Sequence, residues 1–127
     1  MIAIVDADVL IDVVKGNPLA SGALAEVRAA GTRLLSVTPV RAEILRGVFG
    51  RGIHTTAGLL DVLEWLDVDV ELADRAGEMG RPFVRSHQGI SITDLLLAAA
   101  VDRLGGQLLT RNVRHFPMFP DLEPPYR

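Results

Sequence analysis

Ile2-Ala3-Ile4-Val5 runs straight into Asp6-Ala7-Asp8, and Val9-Leu10-Ile11 follows. A short, β-branched apolar run of this kind predicts a strand buried on both faces, the usual state in a parallel sheet. Ligands of such sheets bind beyond the carboxyl ends of the strands. The first polar residue after the run therefore stands where chemistry is expected. Here it is a carboxylate, with a second one two positions on.

The length, 127 residues, suits a single domain spanning 1–127 with a sizeable core. Nearly half the residues, 49%, are hydrophobic, which argues against disorder. Cysteine is absent, so a disulfide framework, a thiolate metal site and a cysteine nucleophile are excluded. Charges alternate through the first helical stretch from Asp6, unlike a signal peptide, and no apolar run is long enough to span a bilayer. The expectation is a cytoplasmic protein that does not engage a membrane. The formal net charge of −3 argues against a nonspecific duplex binder. Twelve arginines stand against a single lysine, Lys15. Arginine suits bidentate phosphate contacts better than lysine, although most of these are expected to be solvated surface charges.

Strand and helix signals alternate along the chain, with no repeat or linker. Asp8 is expected to N-cap a helix over Val9 to Lys15, stopped by Gly16-Asn17. Pro18 opens a second helix to Ala30. Leu34 to Val37 reads as a strand. Thr38-Pro39 reads as a cap and first turn of a third helix that carries Glu43 and ends near Gly47. Helix is expected from Ile53 to Leu66, a short edge strand at Val68 and Val70, and a weakened helix from Glu71 to Arg85. Ser91 and Asp94 form a capping box before the apolar run Leu95 to Val101, which should be a buried helix. Gly105-Gly106 ends it, Gln107 to Thr110 is another strand, and the proline-bearing tail from Phe116 should wrap in extended form. The pattern predicts an α/β sandwich with a small parallel sheet.

Several acids fall where a site belongs. Asp6 and Asp8 follow the first strand, Glu43 lies in the helix after the second, Asp94 opens the buried helix, and Asn112 follows the last long strand. Carboxylates sharing a cleft raise one another's pKa unless a cation is present. A hard divalent cation, Mg²⁺ or Mn²⁺, resolves the conflict. Two such ions roughly 3.5–4 Å apart would clamp the attacking and leaving oxygens of a phosphoryl displacement. Each acid also has an ordinary reading: Asp8 as an N-cap, Asp94 as the capping-box acid, Glu43 as the partner of Arg46 one turn on. Asp6, ending an apolar strand, is the hardest to dismiss in this way.

Asp6-Ala7-Asp8-Val9-Leu10-Ile11-Asp12 resembles the opening of PIN-domain ribonucleases, in particular the VapC-type toxins of bacterial toxin–antitoxin pairs. The likeness continues through Ser36-Val37-Thr38-Pro39-Val40-Arg41-Ala42-Glu43-Ile44-Leu45-Arg46-Gly47, then Ile92-Thr93-Asp94-Leu95-Leu96-Leu97-Ala98-Ala99-Ala100, and ends at Leu108-Leu109-Thr110-Arg111-Asn112-Val113-Arg114-His115-Phe116. No one of these motifs is specific; four in register are.

The resemblance implies a three-layer α/β/α PIN-like domain with a small, mainly parallel central sheet. It also implies a Mg²⁺-dependent endoribonuclease, with Mn²⁺ as a possible substitute, a homodimer, and a cognate antitoxin as partner. The family's acids fall on Asp6, Glu43 and Asp94, its small polar residue on Asp8, and its last acid, or an Asn in its place, near Asn112. These five are the candidate metal ligands, and Asp6, Glu43 and Asp94 the candidate catalytic residues. Arg46, Arg111 and Arg114 are the candidates for holding the RNA backbone. The chain departs from the family where Asp8 replaces the usual Ser or Asn, where Asn112 is uncharged, and where His115 stands in place of a common Asp. His115 is read as structural. The homodimer is expected to bury an apolar face running from Leu10-Ile11 through Val14 to Leu59-Leu60-Val62-Leu63.

Three alternatives compete. A haloacid-dehalogenase-like phosphatase would use the Asp6-Ala7-Asp8 opening with Asp6 as nucleophile. It also needs a downstream lysine and a late pair of metal-binding acids, but the only lysine, Lys15, lies beside the first motif and no Gly-Asp pair follows Thr110. A phosphoacceptor receiver domain needs an Asp after its third strand and a Lys after its fifth; both signals fail. A catalytically degenerate PIN fold that only binds a partner is left open by Asn112.

Overall fold

The computed structural model describes residues 1–47 and 52–127. The first apolar run is β1 (Ile2–Val5), followed by α1 (Ala7–Val14), α2 (Pro18–Ala29), β2 (Arg33–Val37) and α3 (Thr38–Arg46). Then come α4 (Gly52–Val62), β3 (Glu64–Leu66), α5 (Val70–Gly80), α6 (Ile92–Leu104) and β4 (Gln107–Leu109), with 3₁₀ turns at Arg81–Phe83 and Val113–His115. The four strands form one parallel sheet in the order β3-β2-β1-β4. Together with the helices this is the expected three-layer α/β/α arrangement.

β1 is central because it can be buried on both faces: Ala3, Ile4 and Val5 are all at most 1% exposed. Ile4 stands opposite Leu35 on one side and Leu108 on the other. Ser36 belongs to the same layer and its hydroxyl donates to the Val5 carbonyl at 2.6 Å, which satisfies a polar group that would otherwise be costly to bury. α6 contributes Leu96 through Ala100 to the core. Its three alanines let the helix approach β1, β2 and β4 closely, while α5 packs along it. α1 packs on α2, α3 and α4.

Several boundaries differ from the sequence expectation. α1 begins at Ala7 and its N-cap is Asp6, not Asp8. The strand hands directly to the helix, and the Asp6 side chain accepts from the Ala7 N–H at 2.7 Å. α3 starts at Thr38 with Val37 as its cap residue and no side-chain cap bond. The helix expected from Ile53 to Leu66 stops at Val62, and its last residues are the edge strand β3. Trp65 is the reason: its indole N–H donates to the Leu60 carbonyl at 2.9 Å, folding the chain back at the helix end. Across the strands, Glu64 forms a two-pronged pair with Arg33 of β2 at 2.6 and 2.7 Å. Val68 and Val70 are not in a strand. Asp69 between them caps α5, accepting from the Leu72 N–H at 2.7 Å, so alternation there reflects a cap rather than a pleat. The strand expected to include Thr110 ends at Leu109.

Of the apolar face assigned to a dimer, Leu10, Leu60 and Leu63 are internal, Ile11, Val14 and Leu59 are half-buried and Val62 is exposed. Leu10, Leu60 and Leu63 are 0%, 2% and 5% exposed, because α1 and α4 pack against each other within the chain. Among the described residues, no helix is long and apolar enough to cross a membrane.

Candidate active site

The parallel sheet puts the carboxyl ends of β1 and β4 side by side, and the chain turns out of both into polar residues. Asp6 follows β1; its N–H donates to the Leu109 carbonyl at 2.9 Å, extending the ladder by one bond. Thr110 follows β4, is fully buried, and its hydroxyl donates to Asp6 Oδ2 at 2.8 Å. With the Ala7 N–H on Oδ1, both oxygens of Asp6 have a fixed donor. Sequence reasoning had Thr110 only as the end of a strand. No local signal marks that role, because the bond joins residues 104 positions apart and forms only in the fold.

Asp6 is 5% exposed and Asp94 8%. Burial first, then the neighbouring charge of Asp8, pushes the Asp6 carboxyl up to about 7; the bonds from Thr110 and Ala7 oppose the rise, and Asp94 adds to it. Asp8 is also raised, mainly by burial. Its Oδ1 accepts from the Val9 N–H at 2.8 Å and its Oδ2 from the Arg111 N–H at 2.9 Å. Asp94 completes the expected capping box: Oδ2 accepts from the Ser91 N–H at 2.9 Å, and the Asp94 N–H donates to Ser91 Oγ at 3.0 Å. That same Oδ2 lies 3.2 Å from His115 Nδ1. Asp94 therefore contacts His115 as well as capping the helix.

Asp8 and Asp94 thus both lie near enough to Asp6 for their charges to act on it. The other candidates are exposed. Glu43 is exposed on α3 and makes no hydrogen bond or ion pair among the described residues, so the expected pair with Arg46 does not form. It lines a cavity of about 300 Å³ with Ile11, Val14, Lys15, Ile44 and Gly47. Asn112 is exposed, and its N–H donates to Thr110 Oγ1 at 3.0 Å. Arg46 and Arg114 are exposed. Arg111 pairs with Asp12 at 2.6 Å.

Asp6 decides whether a hard divalent cation suits this cleft. A buried carboxyl beside two other acids, with no ion pair of its own among the described residues, is what a cation would relieve. The available donors are oxygens, which suit Mg²⁺ or Mn²⁺. The chemistry of the donor set fits, although no three His, Asp or Glu side chains among the described residues already converge on one point.

The PIN domain family matches residues 3–119. The chain belongs to the PIN-domain family. As a PIN domain it is 37% identical over 123 residues to Ribonuclease VapC19 of Mycobacterium tuberculosis, which covers 97% of this chain and 98% of that protein. It is 37% identical over 123 residues to Ribonuclease VapC10 of the same organism, covering 97% and 92%. Two solved structures share the fold. A toxin–antitoxin complex from Klebsiella pneumoniae gives a TM-score of 0.78 at 21% identity, covering 98% of each chain. VapBC2 from Rickettsia felis, bound to a DNA fragment from their promoter, gives 0.75 at 22%, covering 96% of each. Membership of the PIN family sets aside the phosphatase and receiver-domain alternatives.

Proposed function

We propose that this PIN domain is an endoribonuclease, the toxin half of a toxin–antitoxin pair, dependent on a divalent cation that is Mg²⁺ with Mn²⁺ as substitute. The observation that carries the reading is Asp6. It is a buried acid facing Asp8 and Asp94 at the carboxyl edge of the sheet, in a chain 37% identical along nearly its whole length to a curated ribonuclease. The partners in this reading are the RNA substrate and a cognate antitoxin, and the chain works as a homodimer in the cytoplasm, as one domain over 1–127. With Leu10, Leu60 and Leu63 buried internally, the part of that face left for a dimer is Val62, 40% exposed, and the half-buried Ile11, Val14 and Leu59, with Ile53, 54% exposed, on the same helix as Val62.

Asp6, Asp94, Glu43 and Asp8 would hold the cation, with the Asn112 amide as a neutral further donor. When bound, the cation supplies polarisation of the scissile phosphate and a more acidic water. The protein's own part is orientation. Thr110 and the Ala7 N–H fix both oxygens of Asp6, and the Ser91 N–H fixes Asp94. Pre-set carboxylates need no reorganisation as charge develops on the phosphate. Arg111, Arg114 and Arg46 hold the RNA backbone.

The test is cleavage of total RNA with and without Mg²⁺ by the wild type and by Asp6→Asn, Glu43→Gln and Asp94→Asn. Each substitution removes a charge without changing volume. Each is expected to abolish Mg²⁺-dependent cleavage with unchanged circular dichroism. Full activity in Asp6→Asn with native circular dichroism overturns the reading. A well-folded wild type that binds an antitoxin but never cleaves RNA would make it a degenerate PIN module.

A further inference from the structure

Arg111, the first residue after Thr110, is held from three directions. Its backbone N–H donates to Asp8 Oδ2 at 2.9 Å. Its guanidinium Nη1 donates to Asp12 Oδ2 at 2.6 Å, and the guanidinium carbon lies 5.9 Å from the centre of the Tyr126 ring. Tyr126 closes the set, because its hydroxyl donates to the same Asp12 oxygen at 2.7 Å. Asp12 and Tyr126 are 114 positions apart, so only the fold brings them to one point beside the acids.

We propose that Tyr126 and Asp12 are positioning residues for RNA. They hold the Arg111 guanidinium next to Asp8, so that its remaining N–H groups meet a backbone phosphate. This deepens the ribonuclease reading and rests on it. The geometry carries it in three ways. A guanidinium offers five N–H donors, and among the described residues only Nη1 is engaged by a hydrogen bond, which leaves part of the fork available. The Arg111 side chain is 49% exposed, whereas that of Asp12 is only 15% exposed, so the anchor is shielded and the cation faces outward. A free arginine loses much rotamer freedom on gripping phosphate, and one already oriented by an anion and an aromatic face loses less.

The experiment is a double-substitution cycle on RNA cleavage kinetics in Mg²⁺, with anisotropy of a labelled RNA as a second readout. It uses the wild type, Arg111→Ala, Tyr126→Phe and the double variant. Arg111→Ala keeps the backbone N–H on Asp8, so it reports the guanidinium alone. It is expected to raise KM about tenfold and to lower the salt-dependence slope of RNA binding by about one. Tyr126→Phe keeps the ring and loses the hydroxyl. It is expected to raise KM about threefold to fivefold with kcat within about twofold. In the Arg111→Ala background the same change should do nothing. Asp12→Glu, added to the set because it retains the anion, should raise KM less than Asp12→Ala. An undiminished Tyr126→Phe penalty in the Arg111→Ala background, or no penalty in the wild type, overturns the proposal while leaving the ribonuclease reading intact. Failure of the wild type itself to cleave or bind RNA ends the ribonuclease reading and this one with it.

Discussion

At the scale of single residues, Asp6 is where function and stability pull in opposite directions. Its folded pKa of about 7 lies above the unfolded value of 3.8. The folded state therefore binds the proton more tightly than the unfolded state does. The contribution to stability is most favourable below pH 4 and is lost as pH rises through 7. Asp6→Asn should therefore stabilise the metal-free protein at pH 8, by up to about 4 kcal/mol, and should add little at pH 4. The amide keeps the Ala7 bond, and the Thr110 hydroxyl can turn to accept instead of donate. Urea denaturation in chelator at the two pH values checks this, and equal shifts at both would show that the charge is not the cost. Thr56 on α4 offers a second case. It is 1% exposed and its hydroxyl is the only buried side-chain polar atom without a partner among the described residues. Thr56→Val should raise the urea midpoint, with a gain of about 1 kcal/mol. A loss would mean that the hydroxyl is satisfied.

At the scale of elements, the site depends on β4 lying tightly against β1, because Thr110 and Arg111 hang from its end. Gly106 permits that approach. A Cβ there would stand 2.7 Å from the Ile2 carbonyl oxygen, a backbone atom with nowhere to go. At Gly80, where α5 meets α6, a Cβ would meet Leu95 Cδ1 at 2.5 Å, the mobile tip of a side chain. Gly106→Ala should therefore destabilise by about 2 kcal/mol or more, and Gly80→Ala by less. Gly106→Ala should also weaken RNA cleavage in the folded fraction by moving Thr110 off Asp6. Comparable unfolding midpoints for the two variants would show that β4 can slide.

At the scale of the molecule, protection should fall from the centre of the sheet to its β3 edge. β1 is paired on both sides and its last three residues are at most 1% exposed, whereas Glu64, Trp65 and Leu66 of β3 are exposed or half-buried. Native-state hydrogen exchange should find the amides of Ala3 to Asp6 opening only with global unfolding, and those of β3 at lower free energy. Equal protection of the two strands would mean that β3 is covered, as a dimer or antitoxin contact would do.

The sequence by itself determined the central strand, the buried helix with its Ser91–Asp94 capping box, the alternation that makes a parallel sheet, and the acids at Asp6, Asp8 and Asp94. These are local signals, because β-branched runs, caps and glycine stops act over a few residues. It misassigned the edge strand, since the Asp67-Val68-Asp69-Val70 alternation is indistinguishable locally from a helix cap. What closes that strand is the Trp65 bond to the Leu60 carbonyl and the Arg33–Glu64 pair across two strands. It placed Asp8 as the cap of α1, a role that falls to Asp6 because the helix starts at Ala7, two residues earlier than expected and directly after β1. Only the tertiary structure decided which polar groups meet: Thr110 on Asp6, His115 on Asp94, and Tyr126 with Arg111 on Asp12. Except for His115 and Asp94, these partners lie about a hundred positions apart in the chain. No periodicity carries that information. It appears only when burial of β1 between β2 and β4 brings two distant strand ends to one edge.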